Sequence, residues 1–228
     1  MGVNSENKIE LMAPAGNFES LQAALDNGAD SVYFGVEQLN MRARASINFT
    51  LDDLQEISDR CRAKNVRTYL TLNTIIYDHD LSIVKTLIKK AKEAEITAVI
   101  AMDQAVIAIA RQEGMEVHIS TQINVTNIET LKFYAMFADT IVLSRELSLR
   151  QVKKITAQIE KEQIKGPAGR LVEIEIFGHF GCSFYDDCNL KHTYGEVAAQ
   201  GIGTPCRNFY RLVNEGQLSL KGQYLNSS

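Results

Sequence analysis

Three thiols sit close together near the end of the chain: Cys182, Cys188 and Cys206. Five residues separate the first two and seventeen separate the second from the third. Neither gap is a standard zinc-finger or ferredoxin spacing. Soft thiolates gathered in one loop-rich segment nevertheless suit an iron–sulfur cluster or zinc. The competing reading is three unrelated packed cysteines, since free cysteine is among the most buried residue types. His179, Asp186, Asp187 and His192 interleave with these thiols and offer metal ligands or acid–base groups, although paired aspartates also suit a solvated turn. Glu175 lies four residues before His179, so one strand would turn both side chains to the same side. Ser144-Arg145-Glu146 forms a second group. An arginine there can hold a carboxylate or phosphate through its fork, whereas Ser and Glu can equally cap the following helix. Asn73, Gln122 and Asn124 supply pocket amides, with Arg42 and Arg44 adding positive charge. The candidates are thus His179, Glu175 and Arg145 for catalysis, Asn73, Gln122, Ser144 and Arg42 for substrate binding, and Cys182, Cys188 and Cys206 for metal. His118 reads as a packed interior histidine, His79 as exposed, and Cys61 as packing on a helix stripe.

These residues must be positioned by a framework, and its outline is periodic. Short Val/Ile-rich runs at Ile9–Met12, Ser31–Phe34, Arg67–Leu72, Ala98–Met102, Glu116–Ser120, Thr140–Leu143 and Val172–Phe177 read as strands covered on both faces. Helical stripes alternate with them: Asn17 through Leu25, Thr50 through Cys61, Leu81–Ala94, Ala105–Glu113, Ile128–Phe137 and Leu149–Glu160. This alternation predicts an α/β fold, a TIM-type (β/α) barrel in preference to a doubly wound sheet. Nearly every strand is followed by a glycine or polar residue, and a barrel gathers such ends on one rim. About seven strands are legible, so the barrel is expected to be incomplete. Leu218–Leu220 or Tyr224–Leu225 could supply an eighth, or the chain is cut short. The expected organisation is a tail at 1–8, the barrel at 9–180, and a cysteine-bearing segment at 181–228 packed on it.

Composition narrows the function. The chain has 228 residues, 45% hydrophobic and 23% charged, which suits an ordinary globular protein. Its net charge of −4 argues against a general nucleic-acid footprint but not against a local basic patch. No apolar run reaches membrane-spanning length and no signal core opens the chain, so a cytoplasmic location is expected. Phosphate-binding, dinucleotide, serine-elbow and HExxH motifs are absent.

Taken jointly, several segments resemble a known family. They are Leu11 to Asn17, Gly28-Ala29-Asp30 with Tyr33-Phe34-Gly35, Thr71 to Thr74, His118 to Gln122, and Leu143 to Leu147. Their order is similar to that of the collagenase-like peptidases, the unassigned-type peptidases numbered thirty-two, over about Ile9 to Arg207. Glu175 to Cys182 resembles the family signature, with one residue fewer between His and Cys. Cys188 matches the next family cysteine, and Cys206 the second of a later pair whose first is missing here.

The resemblance implies a TIM-type barrel and a 4Fe-4S cluster held by Cys182, Cys188 and Cys206, the fourth ligand unidentified. A divalent metal, or none, is the alternative. It also implies a hydroxylation factor acting on an RNA base or a quinone precursor, with Arg145 holding the acidic group of a small-molecule co-substrate and His179 assisting proton transfer. A collagenase-like peptidase is the second expectation, though His179 with Glu175 offers no evident third metal ligand. The third is a non-catalytic partner subunit or inactive short form, completed by a protein partner or a second copy.

Overall fold

The computed structural model describes residues 9–36, 39 and 49–177. They fall into two compact units, one ending at Glu116 and the other beginning at Val117.

In the first unit, β1 (Met12–Pro14), β2 (Ser31–Phe34), β3 (Arg67–Leu72) and β4 (Ala98–Ala101) alternate with α1 (Phe18–Asp26), α2 (Leu54–Arg62), α3 (Leu81–Glu93) and α4 (Gln104–Gln112). Successive strands pair in parallel, with Tyr33 opposite Pro14 and Tyr69, and Tyr69 opposite Ala98. Pleating sends alternate side chains to opposite faces. One face carries Met12, Tyr33, Tyr69, Ala98 and Ile100, which pack as a single cluster. The other carries Val32, Phe34, Leu70, Leu72, Val99 and Ala101, all fully buried. Leu21, Ile57, Val84, Leu87 and Val106 form the buried sides of the helices. With both faces covered, the strands need no polar alternation, which is why they read as continuous apolar runs.

The expected first strand is displaced toward its C-terminus, from Ile9–Met12 to Met12–Pro14. The Leu11 N–H donates to Asp30 Oδ2 (3.0 Å) and the Leu11 carbonyl accepts from the Asp30 N–H (2.9 Å), which anchors this stretch ahead of the ladder. Among the described residues β1 pairs only with β2, so Pro14 owes no donor on its other side. Other boundaries move by one to three residues. Asn17 caps α1 as the sequence indicates: its side chain accepts from the Ser20 N–H (2.8 Å), and Ser20 Oγ accepts from the Asn17 N–H (3.1 Å). Glu10 meets the start of β3, taking the Tyr69 hydroxyl (2.7 Å) and pairing with Arg67.

The second unit contains β5 (Glu116–Ile119), whose first residue closes the unit before, β6 (Thr140–Val142) and β7 (Glu173–Glu175), with α5 (Ile128–Ala135) and α6 (Leu149–Glu162). Pairing is again parallel: His118 opposite Thr140 opposite Glu173, and Val142 opposite Glu175. Ile119 and Ile141 occupy the alternate positions and are fully buried, whereas His118, Thr140, Val142 and Glu175 share the opposite face by alternation.

The connection from α6 to β7 is a tight turn built around Asp139. Asp139 Oδ1 accepts from the Ala168 N–H (2.9 Å), and the Asp139 carbonyl accepts from the Glu173 N–H (2.8 Å). Gly166 donates to the Arg170 carbonyl (3.0 Å) and lies so close that a Cβ there would stand 2.4 Å from Asp139 Oδ1 and 2.8 Å from its Cα. This contact sets where β7 begins and hence where Glu175 ends up. Gly166→Ala is expected to destabilise the protein by about 1–3 kcal/mol, the usual cost of overpacking against backbone. Urea unfolding measures it, and an unchanged midpoint would show that the turn yields freely.

Candidate active site at the strand ends of the second unit

Glu175 closes β7 opposite Val142, and its carbonyl accepts from the Leu143 N–H (3.0 Å). The residue as a whole is half-buried, but Oε2 is shut off from solvent and has no hydrogen-bond partner among the described residues. Burial disfavours the charged form and pushes this carboxyl up from its ordinary value to about 7. A carboxyl poised near neutrality can both take and give a proton.

Leu143 also links the next strand end. Its carbonyl accepts from Thr121 Oγ1 (3.2 Å), and the stretch after β5 bridges to it through Val125. Gln122 lies in the short 3-10 turn Thr121–Ile123. Its N–H donates to Ser120 Oγ (3.4 Å), while its side-chain carbonyl is buried without a hydrogen-bond partner among the described residues. Asn124 ends that turn in the left-handed conformation, at φ 56°, a geometry asparagine accepts more readily than most residues.

Ser144 begins the loop after β6. It is buried, its N–H donates to the Val125 carbonyl (3.0 Å), and its hydroxyl donates to Glu146 Oε2. That hydroxyl contact, foremost, holds the exposed Glu146 below the usual carboxylate range. The helix-capping alternative for Ser144 and Glu146 is not realised. Ser148 caps α6 instead, its N–H and hydroxyl both donating to Gln151 Oε1 (2.9 and 2.7 Å). Arg145, between them, places its guanidinium carbon 5.9 Å from the Phe177 ring centroid. Sequence reasoning missed Phe177 as its partner, because a cation–π contact across strand ends leaves no spacing signal.

Asn73 belongs to the first unit, half-buried just beyond β3, where the loop is tied by the Ile76 N–H to Asp103 Oδ2 (3.1 Å). Gln122, Ser144, Arg145 and Glu175 all fall on the strand ends of the second unit. Arg42, Arg44, His179, Cys182, Asp186, Asp187, Cys188, His192 and Cys206 lie outside the described residues. His118 is buried within β5, and His79 is exposed and stacked flat on Tyr77 (5.8 Å). Cys61 is fully buried on α2, and burial pushes its thiol up to about 11, so it packs. Among the described residues no group of three His, Cys, Asp or Glu could hold a metal ion, and no helix is long and apolar enough to cross a membrane.

Parallel strands in chain order, helices between them and polar groups at their C-terminal ends define an α/β protein of the TIM-type (β/α) barrel class. The chain belongs to peptidase family U32, whose profile matches residues 16–228. It is 44% identical to a protein named Collagenase from Porphyromonas gingivalis, over 97% of this chain and 55% of that one. It is 36% identical to tRNA hydroxylation protein P of Helicobacter pylori, over 78% of this chain and 40% of that one. The chain thus spans about half the length, or less, of these curated relatives. The solved structure of the U32 peptidase Mk0906 superposes with a TM-score of 0.60 at 15% identity, covering all of this chain and 85% of the other, and supports the fold.

The raised carboxyl of Glu175 ties stability to pH. The folded state favours its protonated form, so this contribution is complete below about 4.5 and is lost as pH rises through about 7. Relative to Glu175→Gln, the wild type should lose about 1–3 kcal/mol across that window, the range allowing for solvent reaching a half-buried residue. Urea midpoints measured from pH 4 to 8 check it; parallel profiles would refute the shift.

Proposed function

We propose that this chain forms part of an iron–sulfur-dependent hydroxylation factor acting on an RNA base, with Glu175 as the group that moves a proton. One observation carries the reading. A buried carboxyl without a hydrogen-bond partner among the described residues closes β7, only seven residues ahead of a segment holding three thiols. The named activity of the Helicobacter pylori relative supports the same choice. Hydroxylating a ring carbon replaces C–H by C–OH, so a proton must leave that carbon. A carboxyl near neutrality, shielded from water, is suited to receive it. Arg145, steadied over Phe177, would hold an acidic group of a small-molecule co-substrate by a bidentate fork.

The donor set fits a cluster. The one described cysteine, Cys61, is committed to packing. Soft thiolates would therefore come from Cys182, Cys188 and Cys206, with a fourth ligand from elsewhere. A 4Fe-4S cluster bound there would supply single electrons. The second reading, a peptidase, is favoured by the relative named Collagenase, and Glu175 would then act as the base that activates water.

After anaerobic purification we expect about four iron and four acid-labile sulfide per chain, lost in Cys182→Ala, Cys188→Ala or Cys206→Ala. Absence of iron, together with cleavage of gelatin that Glu175→Gln abolishes, would replace this reading with the peptidase.

A further inference from the structure

Two buried oxygens flank the end of β6 without a partner among the described residues: Gln122 Oε1 and Glu175 Oε2. A buried polar atom left unmade costs stability, commonly 1–3 kcal/mol, and is retained where a ligand can complete it. The backbone shows how these two are related. Thr121 Oγ1 donates to the Leu143 carbonyl (3.2 Å), and the Leu143 N–H donates to the Glu175 carbonyl (3.0 Å). The ends of β5 and β7 therefore sit one on each side of Leu143. Adjacent strands are spaced at about 4.8 Å, so these ends lie about 10 Å apart. Side chains as long as Gln and Glu, reaching in from both sides, leave room between them for one small ring.

The two groups are chemically complementary. Gln122 offers a carbonyl that needs a donor. Glu175, when protonated, offers an O–H that needs an acceptor. A ring presenting an N–H beside a C=O satisfies both at once. A quinone precursor, with hydroxyl and carbonyl groups alone, does not present an N–H. We infer that Gln122 and Glu175 together read the cyclic-amide edge of the substrate ring, with Gln122 setting specificity by accepting from the ring N–H. This rests on the base-hydroxylation reading and assigns its recognition to two residues. Ser144 takes no part, since its hydroxyl is engaged by Glu146.

Ligand-observed NMR with uridine and 3-methyluridine tests the assignment, because the methyl group removes only the ring N–H. The wild-type chain should bind uridine at least about fivefold more tightly, in line with one hydrogen bond of about 1 kcal/mol. Gln122→Ala should abolish that preference, and Gln122→Glu, which keeps an accepting oxygen, should retain it. Thermal melts of both variants establish that they fold. No uridine binding by the wild type, or an undiminished preference in Gln122→Ala, overturns the inference. Because binding the edge requires no electrons, a chain that lacks iron yet shows the Gln122-dependent preference retains this inference while the cluster reading fails.

Discussion

Parallel strands leave two sheet faces to be covered, and that requirement shapes this chain from Met12 to Glu175. A parallel connection must return the chain to the same starting side, so a helix intervenes and one face of each strand packs beneath it. Val32, Leu70 and Val99 meet the helical layer in the first unit, and Ile119 and Ile141 occupy the corresponding positions in the second. The other face is then free to vary. In the first unit it is largely apolar, around Tyr69 and Ile100. In the second it carries His118, Thr140 and Glu175.

That difference makes the second unit the chemical one. A carboxyl on a covered sheet face loses its water, and its environment decides its protonation. An ion pair would hold it charged, as the Glu10 pairing with Arg67 illustrates at the opposite ends of the strands. Nothing of that kind meets Glu175 Oε2 among the described residues, so the neutral form is favoured up to neutral pH. Glu146, only a few residues from β6, takes the contrary course through its bond to Ser144. The two carboxyls thus differ in protonation through environment alone, a division of labour that acid–base sites require.

Membership of the U32 family accommodates two kinds of named relative, a collagenase and a tRNA hydroxylation protein. Both chemistries demand a proton acceptor at the end of a barrel strand, and the arrangement around Glu175 meets that shared demand. What separates them is the company the carboxyl keeps: thiols following β7 for electron transfer, or an activated water for hydrolysis.

Much of the framework was legible in the residues. Ser31–Phe34 and Arg67–Leu72 were read to the residue because continuous β-branched and apolar runs need no tertiary information. Asn17 declared its helix because an N-cap is a local bond. The first strand was misplaced because Asp30, nineteen residues away from Leu11, takes the Leu11 N–H. Ser144 and Glu146 were indistinguishable from a capping pair in sequence, and only the fold shows Ser148 in that role. The sequence by itself determined which residue types stand at each strand end, since the strand–helix period is local. Tertiary structure decided which of them are sealed from water, which are paired, and which face each other across Leu143. Burial and cross-strand register depend on residues distant in the chain, and no local pattern carries that information.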